Sequence, residues 1–394
     1  MGHGTVRMKL HRPALVFVER RAPTAPSLRT LLSAQGERHQ WIALAPHLGE
    51  EVQLEPGDLP VFEALDDAIG VEREALARQF GESRVERLVS SGLLLGDHAA
   101  HAELRARDQA LRDTDWWPPA ALAQSFGRWS GVDVAAHAEN TPRESLAGMV
   151  ARDGPPPPEV VHRRPDAEPV RLPPPAHGAL DDLFGARTTC RNFDPLAVLP
   201  LQDLATTLHR VFGAQAGREL APGAVMLKKN SPSGGGLHPV DAYVLAQRVD
   251  GLAPGLYHHD CVAHALEPMQ GMPGAQLASL AHELVAGQAW FANAPVLVLM
   301  AARFQRNFWK YRRHAKAWKV VLLDAGHLSQ NFYLSATELG YGAFVTGAIN
   351  DACAERLFDI DGLGTGAIAV CGMGRRAARI DNAEFDPLDR ARSG

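Results

Sequence analysis

Apolar and polar positions alternate in short runs near the start of the chain, at Leu15-Val16-Phe17-Val18 and Trp41-Ile42-Ala43-Leu44. This two-residue period predicts a few strands of a small sheet within residues 1–56. The period then becomes helical. Asp58 is placed to cap a helix running through Ala68, with Pro60 in its first turn and Gly70 beyond its end. A second helix is expected from Glu72 to Phe80, stopping at Gly81. A third begins near Ser83, carries Val85, Leu88 and Val89 on one face, and ends at Gly92 before Leu93-Leu94-Leu95. Three short helices followed by an apolar strand read as a winged-helix-like domain over residues 1–100. Its third helix sets Arg84 and Arg87 against Glu82 and Glu86, so no uncompensated basic face is left for a DNA groove.

Residues 101–150 are helical in pattern and form a connector. Its apolar-aromatic stretch from Trp116 to Trp129 is suited to docking on a neighbouring element. Residues 151–177 hold Gly154 followed by four prolines, then Pro173-Pro174-Pro175, and read as a semi-rigid linker. A second domain is expected over residues 178–385. Its pattern predicts a helix from Leu201 to Phe212, a strand to Leu245, and a hairpin pairing Gly255–His258 with Ala265–Glu267. Further strands are expected at Pro295–Ala301, Gly342–Val345 and Ala367–Cys371. A helix from Asp324 to Leu339 carries Ala325, Gly326, Ser329 and Ala336, small enough for close helix packing.

Composition narrows the class. With 46% hydrophobic and 22% charged residues over 394 positions, the chain is ordinary globular material and long enough for two or three domains. A net charge of -5 implies no general attraction to nucleic acid or acidic lipid. The four cysteines lie far apart with no CxxC, against a zinc site or a disulfide framework, so no metal is expected. The apolar run Ala14 to Val18 is too short for a signal peptide, and no stretch reaches transmembrane length. The chain reads as cytoplasmic.

Three stretches carry candidate chemistry. Lys228 to Val244 reads KKNSPSGGGLHPVDAYV. Its glycines remove Cβ atoms so that backbone N–H groups can approach a flat or anionic ligand, with serine hydroxyls and two lysines beside them. Arg187-Thr188-Thr189-Cys190-Arg191 sets two guanidiniums four residues apart, a spacing able to grip one dianion. Residues 303–319 hold seven Lys or Arg and no acid, interleaved with Phe304, Phe308, Trp309, Tyr311 and Trp318. Most of these cations suit a solvated face, and the cluster also suits an acidic peptide. Cys190 and His327 have no local partner and are read as structural.

Taken with Gly255-Leu256-Tyr257, the Leu323-Asp324-Ala325-Gly326-His327 run with Gln330-Asn331, Gly347, and Gly372-Met373-Gly374-Arg375, these stretches resemble one family in order and spacing. The chain is similar, over roughly residues 178–380, to flavin-dependent dehydrogenases of the SagB/ThcOx type in the nitroreductase superfamily. The resemblance implies an α+β fold, a mixed sheet flanked by helices, working as a homodimer with FMN at the subunit interface. It implies that Arg187, Thr189 and Arg191 hold the FMN phosphate and ribityl end, with Arg375 near the same phosphate. Pro232, Ser233 and Gly234 would lie along the isoalloxazine, and backbone around Gly347 would approach the ring. Lys310, with Tyr311, is where such enzymes would have their catalytic base. Two positions depart from the pattern: Thr188 stands where a second arginine is usual, and His238 where the loop more often has tyrosine.

The expected activity is oxidation of a residue or azoline ring in a ribosomally made precursor peptide, with a proton passing to the Lys/Tyr base and hydride to flavin. Other peptide-modifying enzymes are expected partners, and residues 1–100 are a candidate peptide-binding module. Two alternatives stand beside it: an NAD(P)H-dependent nitroreductase or quinone reductase sharing the FMN site, and a flavin-free scaffold that captures a leader peptide.

Overall fold

The computed structural model describes residues 8–21, 40–65, 69–136, 146–160, 163–164, 168 and 170–391. In chain order the elements are β1 (Lys9–His11), β2 (Phe17–Arg21), β3 (Gln40–Leu44), β4 (Glu51–Leu54), α1 (Leu59–Glu63), β5 (Val71–Glu72), α2 (Arg73–Phe80), α3 (Glu82–Ser90) and β6 (Leu95–Gly96). Helices α4 (Ala102–Asp113), α5 (Pro118–Phe126), α6 (Leu146–Asp153) and α7 (Ala179–Ala186) follow. Then come β7 (Leu199–Pro200), α8 (Leu201–Val211), β8 (Ala214–Ala221), β9 (Ala224–Lys229), β10 (Val240–Ala246), β11 (Val249–Asp250), β12 (Gly255–Asp260) and β13 (Ala265–Gly271). The chain continues through α9 (Gly274–Leu284), α10 (Ala289–Ala292), β14 (Val296–Arg303), α11 (Phe304–Tyr311), α12 (Ala317–Glu338), β15 (Gly342–Thr346), α13 (Asp351–Phe358) and β16 (Thr365–Gly374).

The N-terminal elements enclose their own core of Leu10, Ala43, Leu54, Val61, Leu76, Val85 and Leu88. Here β1 sits between β5 and β6, and β3 between β2 and β4. The first expected helix is shorter than its pattern; Glu63 ends α1, and residues 66–68 lie outside the described residues. Asp58 stands at the N-cap position of α1 but makes no side-chain capping hydrogen bond there. Its carboxylate is fully buried and takes a bidentate pair from Arg87, at 2.7 and 2.9 Å, with Arg84 at 3.3 Å. Arg73, not either of those two arginines, pairs with Glu82 and Glu86. The basic residues of α3 are thus compensated, but by a buried partner on another element.

The larger sheet runs β13-β12-β10-β14-β16-β15, and every neighbouring pair is antiparallel. Parallel pairing enters at the Thr189↔Ala343 bridge on the β15 edge and between β7 and β11. Strand β14 explains the two-layer packing. Val296, Val298 and Met300 point into one core with Phe332, Leu208 and Trp116, while Leu297, Leu299 and Ala301 point into a second with Leu277, Leu284 and Phe358. A strand covered on both faces must be apolar at every position, which is why it reads as an uninterrupted run. The connector joins this body: Trp116 donates Nε1–H to the Leu363 carbonyl at 2.9 Å, and Arg128 pairs with Glu355. No described helix is long and apolar enough to cross a membrane.

Candidate functional site

The site is organised by α12, which starts at Ala317, seven residues before the position its pattern predicts. Val320, Asp324 and Asn331 fall on one stripe of this helix, at spacings that a 3.6-residue turn brings into line. The Gly-rich loop lies along that stripe. Asp324 accepts the Ser233 hydroxyl at 2.5 Å and the Gly234 N–H at 3.1 Å, and Asn331 donates to the Ser231 hydroxyl at 2.8 Å. A Cβ on Gly234 would sit 2.0 Å from Val320 Cγ1, so the Val320 side chain lies directly against the loop backbone. Asp324 is 4% exposed. Burial pushes its carboxyl above the usual carboxylate range, and the Ser233 and Gly234 hydrogen bonds act in the opposite direction.

The loop turns through Gly235 at φ 65° and Gly236 at φ 68°, left-handed values that favour glycine. His238 follows at φ 47°; its N–H donates to the Ser233 hydroxyl at 2.9 Å, which holds the turn closed. Burial, helped by nearby Lys229, lowers the His238 pKa to about 4, so the ring is neutral near pH 7. Lys310 and Tyr311, at the end of α11, face this loop. A Cβ on Gly235 would lie 2.6 Å from the Tyr311 hydroxyl and 2.9 Å from Lys310 Nζ. Lys310 Nζ is 5.7 Å from the Tyr311 ring centre, and the Lys310 side chain is open to solvent.

The far end of α12 meets the arginine-threonine stretch. Tyr333 accepts the Val345 N–H at 3.1 Å, and its hydroxyl lies 3.0 Å from Thr189 Oγ1. The Arg187 guanidinium lies over the Tyr333 ring at 5.2 Å, and Arg187 forms no ion pair among the described residues. Gly347, two residues past Val345, has nothing within 4 Å of the point a Cβ would occupy, so a ligand can reach its backbone.

The predicted residues therefore gather in two groups on one helix: Ser233 and Gly234 with Lys310 and Tyr311, and Arg187 with Thr189 and the β15 strand leading to Gly347. Pro232 is exposed at the mouth of the loop. Two predicted residues are engaged elsewhere. Arg191 contacts the C-terminal segment, its N–H on Glu384 at 2.6 Å and its guanidinium on the Ala383 carbonyl at 3.4 Å. Arg375, 69% exposed, lies 3.5 Å from Asp194. Beside Thr188, Arg376 donates to Thr188 Oγ1 at 2.8 Å and pairs with Glu384 at 2.8 Å. Asp324, Tyr333 and Arg376 are the site residues that sequence alone did not single out. The Asp324-Ala-Gly-His run is the signal for Asp324 and the Arg375-Arg376 pair the signal for Arg376; Tyr333 has none.

Residues 185–375 match the Nitroreductase family. The chain carries a nitroreductase-family domain. That domain is 28% identical over 187 residues to the nitroreductase-like protein MJ1384 of Methanocaldococcus jannaschii, covering 47% of this chain and 87% of the relative. It is 26% identical over 136 residues to the trifolitoxin-processing protein TfxB of Rhizobium leguminosarum bv. trifolii, covering 34% of this chain and 36% of TfxB. It is also 26% identical over 145 residues to the microcin B17-processing protein McbC of Escherichia coli, covering 36% of this chain and 51% of McbC. The matches thus span about half or less of the two peptide-processing relatives. In fold, the chain is similar to a protein in the Escherichia coli microcin synthetase McbBCD complex, with a TM-score of 0.50 at 20% identity, covering 68% of this chain and 97% of that one.

The nitroreductase-family domain has features that fit a flat, phosphate-bearing cofactor. Arg187 is a cation with no anionic partner among the described residues, Gly347 leaves backbone open, and the 233–236 loop is fixed from below by a buried carboxylate. Among the described residues no group of three or more His, Cys, Asp or Glu could hold a metal ion. Cys190, Cys353 and Cys371 are buried, and burial raises their thiol pKa values, against a nucleophilic role.

Proposed function

We propose that this protein is an FMN-dependent dehydrogenase that oxidises a residue or azoline ring in a ribosomally synthesised peptide. The observation that carries the reading is the placement of Lys310 Nζ and the Tyr311 hydroxyl against Gly235 of a loop anchored on Asp324. Similarity to two peptide-processing proteins supports the peptide as substrate. Arg187 and Thr189 would hold the FMN phosphate and ribityl end, and Arg191 and Arg375 would join them only on leaving the Ala383 carbonyl and Asp194; Pro232, Ser233, Gly234 and Gly347 would border the ring. Bound FMN supplies the two-electron acceptor. Lys310 takes the proton released from the substrate as the new double bond forms, and Tyr311 orients the Lys310 amine. The Gly235 turn leaves room for both side chains at one point.

Residues 1–100 would serve as a winged-helix-like module for the precursor's leader, residues 101–150 as its helical connector, 151–177 as a linker, and 178–385 as the catalytic domain. A homodimer and other peptide-modifying enzymes complete the assembly in this reading, which involves neither nucleic acid nor membrane. Its test is the visible spectrum of the purified protein, with released cofactor identified by mass, followed by anaerobic mixing with precursor peptide. Bound FMN that bleaches with peptide supports the reading. A colourless chain that takes up no FMN refutes it, and a Lys310→Ala variant that keeps both FMN and full turnover removes Lys310 as the base.

A second reading, an NAD(P)H-dependent nitroreductase or quinone reductase, is supported by similarity to the Methanocaldococcus protein over 87% of that relative's length. Rapid bleaching by reduced nicotinamide, with none by peptide, would select it.

A further inference from the structure

We propose that the groove between the β8–β9 hairpin and α11 binds an acidic segment of the precursor peptide, an inference that rests on the peptide-oxidation reading above. The groove is a cavity of about 730 Å³, and Val225, Met226, Arg303, Arg306, Trp309 and Thr365 are among the residues lining it. That volume lies within the range of ligand sites, roughly 300–1,000 Å³. Its walls combine the residue types that carry binding energy at interfaces: tryptophan, methionine and arginine. Trp309 is 63% exposed, an unusual position for the largest apolar side chain unless something covers it.

The charges in the groove are unequally answered. Arg303 has Asp241, at 2.5 Å. Asp361, the acid of the groove, spends one carboxylate oxygen on the N–H groups of Leu363, Gly364 and Thr365, at 2.7, 2.5 and 3.2 Å. Arg306 donates Nε–H to the Leu237 carbonyl at 2.5 Å and forms no ion pair among the described residues. Burial and the neighbouring Arg303 lower its pKa, the direction expected of a cation that lacks a close anion. A carboxylate is the partner that fits a half-buried guanidinium with its terminal nitrogens free, and the surrounding run from Arg303 to Lys319 contains no acid to supply one.

Position ties the groove to the loop. Leu237 lines the cavity, Met226 Cε lies 2.9 Å from where a Cβ on Gly236 would be, and Lys310 follows Trp309 directly in α11. A peptide with its acidic side chain on Arg306 and an apolar neighbour on Trp309, Val225 and Met226 would lead into the Gly235–Lys310 junction. The apolar half of the groove favours peptide over a nucleic-acid strand, which would offer phosphates but no aliphatic side chains.

The test uses the full-length protein loaded with FMN and a C-terminally amidated octapeptide of alternating glutamate and leucine, carrying a neutral fluorophore. Anisotropy is read at low and high salt beside the glutamine counterpart, a glutamate peptide with a free C-terminus, and an oligothymidylate. The glutamate peptide is expected to bind about tenfold tighter than the glutamine peptide at low salt. Arg306→Gln should abolish that preference, Trp309→Ala should weaken both peptides, and Lys319→Gln should leave the preference in place. Equal affinity for the two peptides, retained preference in Arg306→Gln, dependence on the free C-terminus, or tighter binding of the oligothymidylate would each overturn the inference. Peptide oxidation without this preference removes the groove and leaves the dehydrogenase reading intact. A chain that takes up no FMN yet prefers glutamate through Arg306 upholds the groove and removes the dehydrogenase.

Discussion

Asp324 offers the sharpest separation of shape from charge in the site. Its carboxylate receives one hydroxyl and one backbone N–H of the Gly-rich loop, at 2.5 and 3.1 Å, in a nearly dry setting. Asp324→Ala leaves the Gly234 N–H and the Ser233 hydroxyl without their acceptor, and each unsatisfied buried group costs about 1–3 kcal/mol. The expected loss of stability is about 2–4 kcal/mol, and the FMN dissociation constant should rise about tenfold or more as the loop loosens. Asp324→Asn behaves differently. Because burial raises the carboxyl pKa despite those hydrogen bonds, ionised Asp324 carries a net cost relative to its neutral form. A neutral amide of the same shape keeps an acceptor for Gly234 and should stay within about 1 kcal/mol of the natural protein. The sign in pH follows from the raised pKa: the stabilisation is present below the ordinary value of 3.8 and is lost as pH rises through the folded-state value. The difference between the natural protein and Asp324→Asn should therefore shift in favour of the natural protein on acidification. Denaturant midpoints across pH, with FMN titration at neutral pH, test this. Asn and Ala variants equally impaired would refute the reasoning, because the charge itself would then be required.

Gly235→Ala places a methyl at a left-handed φ, 2.6 Å from the Tyr311 hydroxyl and 2.9 Å from Lys310 Nζ. It should cost about 1–2 kcal/mol in a denaturant melt and lower kcat about 100-fold while FMN stays bound. Gly347→Ala meets no atom within 4 Å, so its midpoint should move by less than about 0.5 kcal/mol. A cofactor titration should nonetheless show weaker FMN binding, and unchanged affinity would remove Gly347 from the site. His259, 3% exposed, has its pKa lowered by burial to about 4 from an ordinary 6.5. A depressed histidine pKa means the unfolded chain binds the proton more tightly, so stability is full above pH 6.5 and falls toward pH 4. The loss is about 3 kcal/mol at most, and His259→Gln should flatten that slope in equilibrium unfolding.

The body of the fold was legible where burial imposes a pattern. Strands β10, β12, β14, β15 and β16 all lie where their apolar runs predict, because the sheet is covered on both faces. The β8–β9 hairpin was not anticipated. Almost every β8 residue is exposed, so no alternating apolar face forms, and Pro222-Gly223 at the turn was the only mark of it. The pattern predicts α12 only from Asp324 onward because Lys316 and Lys319 merge its first turn with the basic run before it; Ala317 and Val321 face inward and extend it. Helices α9 and α13 were not anticipated either. Asp58 shows a different limit. Its position before Pro60 matches a helix cap, but the partners that bury it, Arg84 and Arg87, lie on another helix, and no local pattern encodes that pairing.

The candidate site divides along the same line. Glycines and arginines announce themselves in sequence because backbone shape and charge restrict which residue can serve. The groups that hold them do not. Asp324 is 91 residues from Ser233, and Tyr333 is 144 from Thr189, yet both lie on α12. One helix thereby fixes the loop beside Lys310 with its first half and the Arg187–Thr189 end with its second. A rigid helix fixes the spacing between the two groups, whereas two loops hinged independently would have to find it anew each time. A kink between Asp324 and Tyr333 should therefore impair both ends together, while a substitution confined to either loop impairs one.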